Sequence, residues 1–271
     1  MTKTIIFDGR EFANKKEEAL ALKALALRQK KVIPHLVSIL VGDDATSSLY
    51  VNLKKNAVER IGGEATIVKL DENSKLEKIL EVINWYNNDA EIQGIMVQMP
   101  LPGKVSEFRD EIINAIKPEK DVDGLRSDSK FVHPTTKAVI DIIDFANGYL
   151  DLSSTLSCTV VGATGMVGKS VVKELSRKGY KVTEVNSRTS NLIEGVGSAD
   201  VLVSATGKPG LITEDMIKDR AIIIDVGSPK GDCDLDINSK ASFITPVPGG
   251  VGPVTISCLL ENLVEAAEKI K

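Results

Sequence analysis

The sequence predicts an α/β protein built from two units with parallel strands, and three observations carry that reading. Short apolar runs of strand length recur along the chain with helical patterns between them, the alternation expected of parallel sheets covered by helices. A polar stretch, KPEKDVDGLRSDSK at 117 to 130, interrupts the series, and the change of unit falls near residue 134. A second series then opens on a glycine-rich strand-to-helix turn, VVGATGMVGK at 160 to 169.

In the first series the strands are IIF at 5 to 7, HLVSILVG at 35 to 42, ATIVKL at 65 to 70 and GIMVQ at 94 to 98. Residues 10 to 31, 46 to 61, 74 to 88 and 105 to 116 carry few breakers and read as helices. A linking helix is expected at 136 to 149. The second series comprises CTVVG at 158 to 162, YKVTEVN at 180 to 186, DVLVSA at 200 to 205, AIIIDVG at 221 to 227 and SFIT at 242 to 245. The segment PVPGGVGP, 246 to 253, is too rich in Gly and Pro to be regular, and Pro253 is placed as the first residue of a closing helix through Lys271.

Composition narrows the function. The 271 residues are 42% hydrophobic, enough for a substantial core. Lys and Arg number 34 against 38 Asp and Glu, a net charge of -4 without long like-charge blocks, which argues against nucleic acid as the partner. No apolar segment reaches the length of a signal peptide or a membrane span, which points to a cytoplasmic protein without a membrane partner. Cys158, Cys233 and Cys258 have no paired spacing, so they read as inert thiols, with no metal site.

Gly162, Gly165 and Gly168 follow a strand and open a helix, where backbone amides can face a pyrophosphate and glycines let it approach. A purely structural turn is the alternative. The next strand ends in Asn186-Ser187-Arg188-Thr189, with Glu184 inside the strand and no acid at its tip. Arg188 can pair with a 2′-phosphate through its planar fork of donors, which favours NADP, with NAD as the alternative. A solvated loop residue is the other reading of Arg188.

Three pieces of the first half suggest chemistry, though each has a bland reading. Tyr50 and Lys54 are four apart and share a helix face. Gln98 ends a buried strand just before two prolines, at the strand end where α/β proteins place ligand contacts. Lys120-Asp121-Val122-Asp123-Gly124 has the form of an ordinary Asp-Gly turn.

Together, YVNLK at 50 to 54, GIMVQMPLP at 94 to 102, KDVDG at 120 to 124 and PVPGGVGPVT at 246 to 255 resemble the bifunctional methylenetetrahydrofolate dehydrogenase/methenyltetrahydrofolate cyclohydrolase family, in order and spacing, over nearly the whole chain. The resemblance implies an N-terminal α/β catalytic domain, residues 1 to 134 plus 254 to 271, that binds folate, and a Rossmann-like NADP-binding domain at 135 to 253. It further implies a folate cleft between them, a homodimer, and a place in one-carbon metabolism and purine biosynthesis.

By motif, Tyr50 lines the folate site, Lys54 is the catalytic lysine, Gln98 its partner and Asp123 the pterin anchor. Gly162, Thr164, Gly165, Gly168, Ser187, Arg188 and Thr255 fall at the dinucleotide, and Gly249 and Gly250 allow close approach of the substrate. The family's Gly-Arg-Ser is here Gly162-Ala163-Thr164, and Ser170 replaces a proline. The usual Pro-Cys-Thr-Pro is His133-Pro134-Thr135-Thr136. Both histidines, His35 and His133, read as structural. Two rivals stay open: a two-domain dehydrogenase of another small substrate, and a folate- and dinucleotide-binding protein without catalysis.

Overall fold

A computed structural model describes residues 4–150, 156–234, 237 and 240–269. The chain divides into two compact units, one of Met1–Ala13 with Thr135–Thr255 and one of Asn14–Pro134 with Ile256–Lys271.

The second of these units is built on three parallel strands in the order β3-β2-β4: β2 (His35–Val41), β3 (Glu64–Leu70) and β4 (Gly94–Val97). Side chains of a strand alternate between faces, and both faces of β2 are buried. Val37, Ile39 and Val41 pack with Ile79 and Ile83 of α3 (Leu76–Asn88), whereas Leu36 packs with Ala57 and Val58 of α2 (Ala45–Arg60). Leu20 and Leu27 of α1 (Gly9–Gln29) join that second layer, as do Leu260 and Leu263 of α8 (Val251–Glu268). Fully burying each such aliphatic side chain is worth about 1.5–3 kcal/mol.

The other unit carries six parallel strands in the order β1-β9-β8-β7-β5-β6. They are β1 (Ile5–Ile6), β5 (Ser157–Val161), β6 (Lys181–Val185), β7 (Val201–Ser204), β8 (Ile222–Asp225) and β9 (Phe243–Ile244). The linking helix is α5 (Pro134–Leu150), and α6 (Met166–Arg177) follows β5. From β5 the chain adds β6 on one side and β7 on the other, so the order reverses there, and ligands of open α/β sheets bind outside the strand ends at such a point.

Several boundaries differ from expectation. Residues 1 to 13 belong with the Rossmann-like unit, because Ile5 and Ile6 pair with Phe243 and Ile244 of β9. The helix expected at 105 to 116 is a 3-10 turn at Gly103–Phe108 followed by α4 (Arg109–Ala115). The closing helix begins at Val251, two residues before Pro253, which its first turn tolerates because the N–H groups there have no intrahelical partner. Its expected end, residues 270 and 271, lies outside the described residues. Not expected from the sequence is α7 (Leu192–Gly197), whose cap is Asn191 accepting from Glu194 N–H at 3.2 Å. Among the described residues no helix is long and apolar enough to cross a membrane.

Candidate active site

Helix α2 is started by Asp44, whose carboxylate accepts the Ser47 N–H at 2.7 Å. Ser47, Val51 and Val58 are buried, and residues three and four apart share a helix face. Lys54 lies on that stripe, so the packing that holds α2 to the sheet draws the lysine inward and leaves it half-buried. Tyr50, one turn earlier, is more open, at 38% exposure.

The partner arrives from β4. Gln98 extends the ladder one residue past the strand, its N–H donating to Ile39 O at 2.8 Å. Its side-chain Nε2 donates to Met99 O at 2.7 Å, which turns Oε1 toward the lysine, and Lys54 Nζ donates to that Oε1 at 3.1 Å. Burial pushes the Lys54 amine below its usual 10.5, while the Asp123 carboxylate works in the opposite direction. The neutral amide of Gln98 accepts one N–H without adding the negative charge that would fix an ammonium. A neutral amine held this way keeps its lone pair for a proton.

The 120 to 124 segment divides its labour. Lys120 Nζ donates to Tyr86 O and Asp89 O at 2.9 and 2.6 Å, and Val122 is fully buried. Asp121 Oδ2 accepts the Arg126 N–H at 2.9 Å, and burial pushes its carboxyl up. Asp123 is left partly exposed, close enough to act electrostatically on Lys54. Gly124 has φ +63°, and a Cβ there would sit 2.6 Å from His133 N, so the turn lies flush against the chain at 131 to 133. His133 is thereby a neighbour of this cluster. Its reading as a structural residue said nothing of that placement, for which the one available signal was a titratable side chain standing where the family pattern has proline. His35 accounts for itself locally, with Nε2 2.8 Å from Thr66 Oγ1.

The glycine-rich turn sits at the point where the strand order reverses. Gly162 follows β5 with φ +85°, and a Cβ there would lie 2.4 Å from Ala205 O, just past β7. A Cβ on Gly168 would lie 2.2 Å from Gly162 O, whereas one on Gly165 would come no closer than 3.2 Å. Gly165 is the N-cap of α6 and makes no side-chain cap hydrogen bond. This backbone suits a pyrophosphate. Ala163 is buried and Thr164 exposed, so the position where the family carries arginine here faces the interior.

The tip of β6 is a tight turn, with Arg188 N–H donating to Asn186 Oδ1 at 2.9 Å and Thr189 Oγ1 accepting Asn186 N–H at 3.0 Å. Ser187 and Arg188 are exposed. Thr255 Oγ1 donates to Val251 O within α8 at 3.1 Å. Gly9 N–H donates to Gly249 O at 3.0 Å, and a Cβ on Gly250 would lie 2.6 Å from Pro246 O, so this loop folds tightly on itself and on the start of α1. The three cysteines are free, and burial pushes the Cys158 thiol up to about 12.

Fold and site together define a two-unit α/β protein with a glycine-rich strand-to-helix turn in one unit and a half-buried lysine paired with a glutamine in the other. The model of the tetrahydrofolate dehydrogenase/cyclohydrolase catalytic domain matches residues 7–123, and that of the NAD(P)-binding domain of the same enzymes matches 133–271. The chain belongs to the tetrahydrofolate dehydrogenase/cyclohydrolase family. It is 41% identical to the bifunctional protein FolD of Staphylococcus aureus (strain Newman), over 98% of this chain and 97% of that one. The crystal structure of the bifunctional FolD enzyme from Campylobacter jejuni superposes with a TM-score of 0.91 at 32% identity, covering 98% and 99% of the two chains. That of the Trypanosoma brucei enzyme, complexed with NADP cofactor and inhibitor, gives 0.90 at 30% identity, covering 99% of each.

Proposed function

We propose that this protein oxidises 5,10-methylenetetrahydrofolate to the 5,10-methenyl compound with NADP and hydrolyses that product to 10-formyltetrahydrofolate, with Lys54 at the folate site. The observation that carries the reading is the Lys54–Gln98 pair, a half-buried amine held by a neutral acceptor at 3.1 Å. The folate role goes to the unit Asn14–Pro134 with Ile256–Lys271, and the dinucleotide role to the other.

NADP, when bound, supplies the hydride acceptor. Gly162, Gly165 and Gly168 would hold its pyrophosphate, with Thr164, Ser187, Arg188 and Thr255 as further contacts, and Arg188 is the 2′-phosphate partner. The oxidation asks the protein for positioning above all, since the nitrogen lone pair next to the methylene carbon drives the step and no protein base is required. Asp123 supplies position by accepting paired hydrogen bonds from the pterin amino group and adjacent ring N–H. Tyr50 lines the same site, and Gly249 and Gly250 leave room for the substrate.

Hydrolysis needs proton transfer. Water attacks the methenyl carbon, its O–H bond breaks and the proton passes to neutral Lys54 Nζ, which Gln98 keeps in line. The ammonium then protonates the ring nitrogen as its bond to carbon opens, and the remaining O–H proton of the former water passes to the again neutral Lys54 as the formyl C=O forms. A substrate cation beside the amine lowers its proton affinity further.

On the family resemblance we also assign a homodimer, a cytoplasmic location and a product that serves one-carbon metabolism, including purine biosynthesis. Incubating the purified protein with methylenetetrahydrofolate and either NADP or NAD, while following absorbance of the reduced nucleotide and of the methenyl product, tests the activity. Formation of both with NADP is the expected result. Absence of turnover with either nucleotide overturns the proposal.

A further inference from the structure

His133 stands beside the lysine site for reasons built into the fold. Asn262 of α8, 1% exposed, donates through its side-chain amide to Val122 O and to Val132 O, both at 2.9 Å. One side chain therefore fixes the residue before Asp123 next to the residue before His133. Gly124 closes the same contact from the other side, its backbone lying against His133 N and Cα. The His133 Nδ1 atom is buried and has no hydrogen-bond partner among the described residues, an expensive state for a ring nitrogen unless something is brought to it.

Hydrolysis of a methenyl cation by water releases one proton per turnover: the water loses both of its hydrogens, and the opened ring nitrogen regains only one. Lys54, neutral again after protonating the ring nitrogen, is left holding that surplus proton and must hand it on before the next turnover.

Building on the proposed hydrolytic reaction, we propose that His133 is a positioning residue for that step: acting through Lys54, its imidazole receives the surplus proton and passes it to solvent, returning the lysine to its neutral form. No electron is transferred, and the only bonds changed are the N–H bonds of the two side chains. Three charged groups act electrostatically on the ring, Asp123 and Asp121 from the turn and Lys54 from α2. Burial holds the imidazole below its usual 6.5, Asp123 opposes that, and the lysine adds to it. The lysine and the histidine thus disfavour simultaneous charging, which is the condition for passing a single proton between two sites.

The chain has two histidines, so their ring resonances can be followed separately by NMR across a pH titration. His133 is expected to titrate at higher pH in Lys54→Met and at lower pH in Asp123→Asn, with His35 unmoved in both. This arm needs no substrate and stands even if the proposed oxidation fails. In the second arm, His133→Gln is expected to lower the ratio of cyclohydrolase to dehydrogenase turnover about tenfold near neutral pH and to reshape the acid limb of the cyclohydrolase profile alone. Should His133→Gln fold poorly, His133→Asn is measured in its place. A His133 titration indifferent to Lys54→Met overturns the inference, as does an unchanged activity ratio in an enzyme that oxidises methylenetetrahydrofolate normally.

Discussion

Lys54 on α2 donates a hydrogen bond to Gln98 at the end of β4, 3.1 Å away, and the orientation of that amide is set by its own bond to Met99 O. The acceptor is neutral, and the hydrolytic reading rests on that neutrality. Replacing it with a carboxylate, Gln98→Glu, places a negative charge against the amine and holds it as ammonium. We expect cyclohydrolase turnover near neutral pH to fall about 100-fold, with partial recovery as pH rises. A pH–rate profile of the variant checks this, and an acid limb left in place counts against the assignment.

Burying an amine has a stability consequence whose sign can be worked out. The folded protein holds Lys54 below its usual 10.5, so in that window the unfolded chain binds the proton more tightly. The cost is full below the folded value, shrinks as pH rises through it, and is gone above the unfolded value. Lys54→Met is therefore expected to stabilise the protein near neutral pH, by on the order of 1 kcal/mol. Denaturant unfolding at neutral and strongly alkaline pH measures it, the gain shrinking at the higher pH.

The three glycines of the turn are not equivalent. A methyl group on Gly168 would meet Gly162 O at 2.2 Å, while one on Gly165 would meet it at 3.2 Å. Gly168→Ala should weaken NADP binding at least about tenfold and destabilise the unit by roughly 1–3 kcal/mol. Gly165→Ala should bind within about threefold of the unchanged protein. Calorimetric titration with NADP separates the two, and equal losses contradict the steric argument.

At the tip of β6, Arg188 is exposed on a turn that carries no acid. A charge-assisted pair with the 2′-phosphate contributes roughly 1.5–3 kcal/mol, so Arg188→Glu is expected to reduce the NADP over NAD preference in kcat/KM at least about tenfold. An unchanged ratio removes Arg188 from this role.

Much of this was legible in the sequence, and what was not has physical causes. β2 and β4 stood out because both faces of each are buried, leaving continuous apolar runs in HLVSILV and GIMV. The edge strand β6 alternates less cleanly, and β1 and β9 are only two residues long, so their pairing, which moves residues 1 to 13 into the other unit, leaves no pattern to read. Lys54 looks like a solvated charge when taken alone; its place on the Ser47–Val51–Val58 stripe was the available clue. The placement of His133 depends on Asn262, 129 positions away in sequence, joining Val122 to Val132. No local pattern carries a contact of that range.

In the proposed reaction pair, oxidation rests on geometry and hydrolysis on the Lys54 amine. Measuring both activities of Lys54→Gln in one preparation tests it directly. Cyclohydrolase turnover is expected to fall at least about 100-fold while dehydrogenase turnover falls much less; an equal loss in both would contradict it.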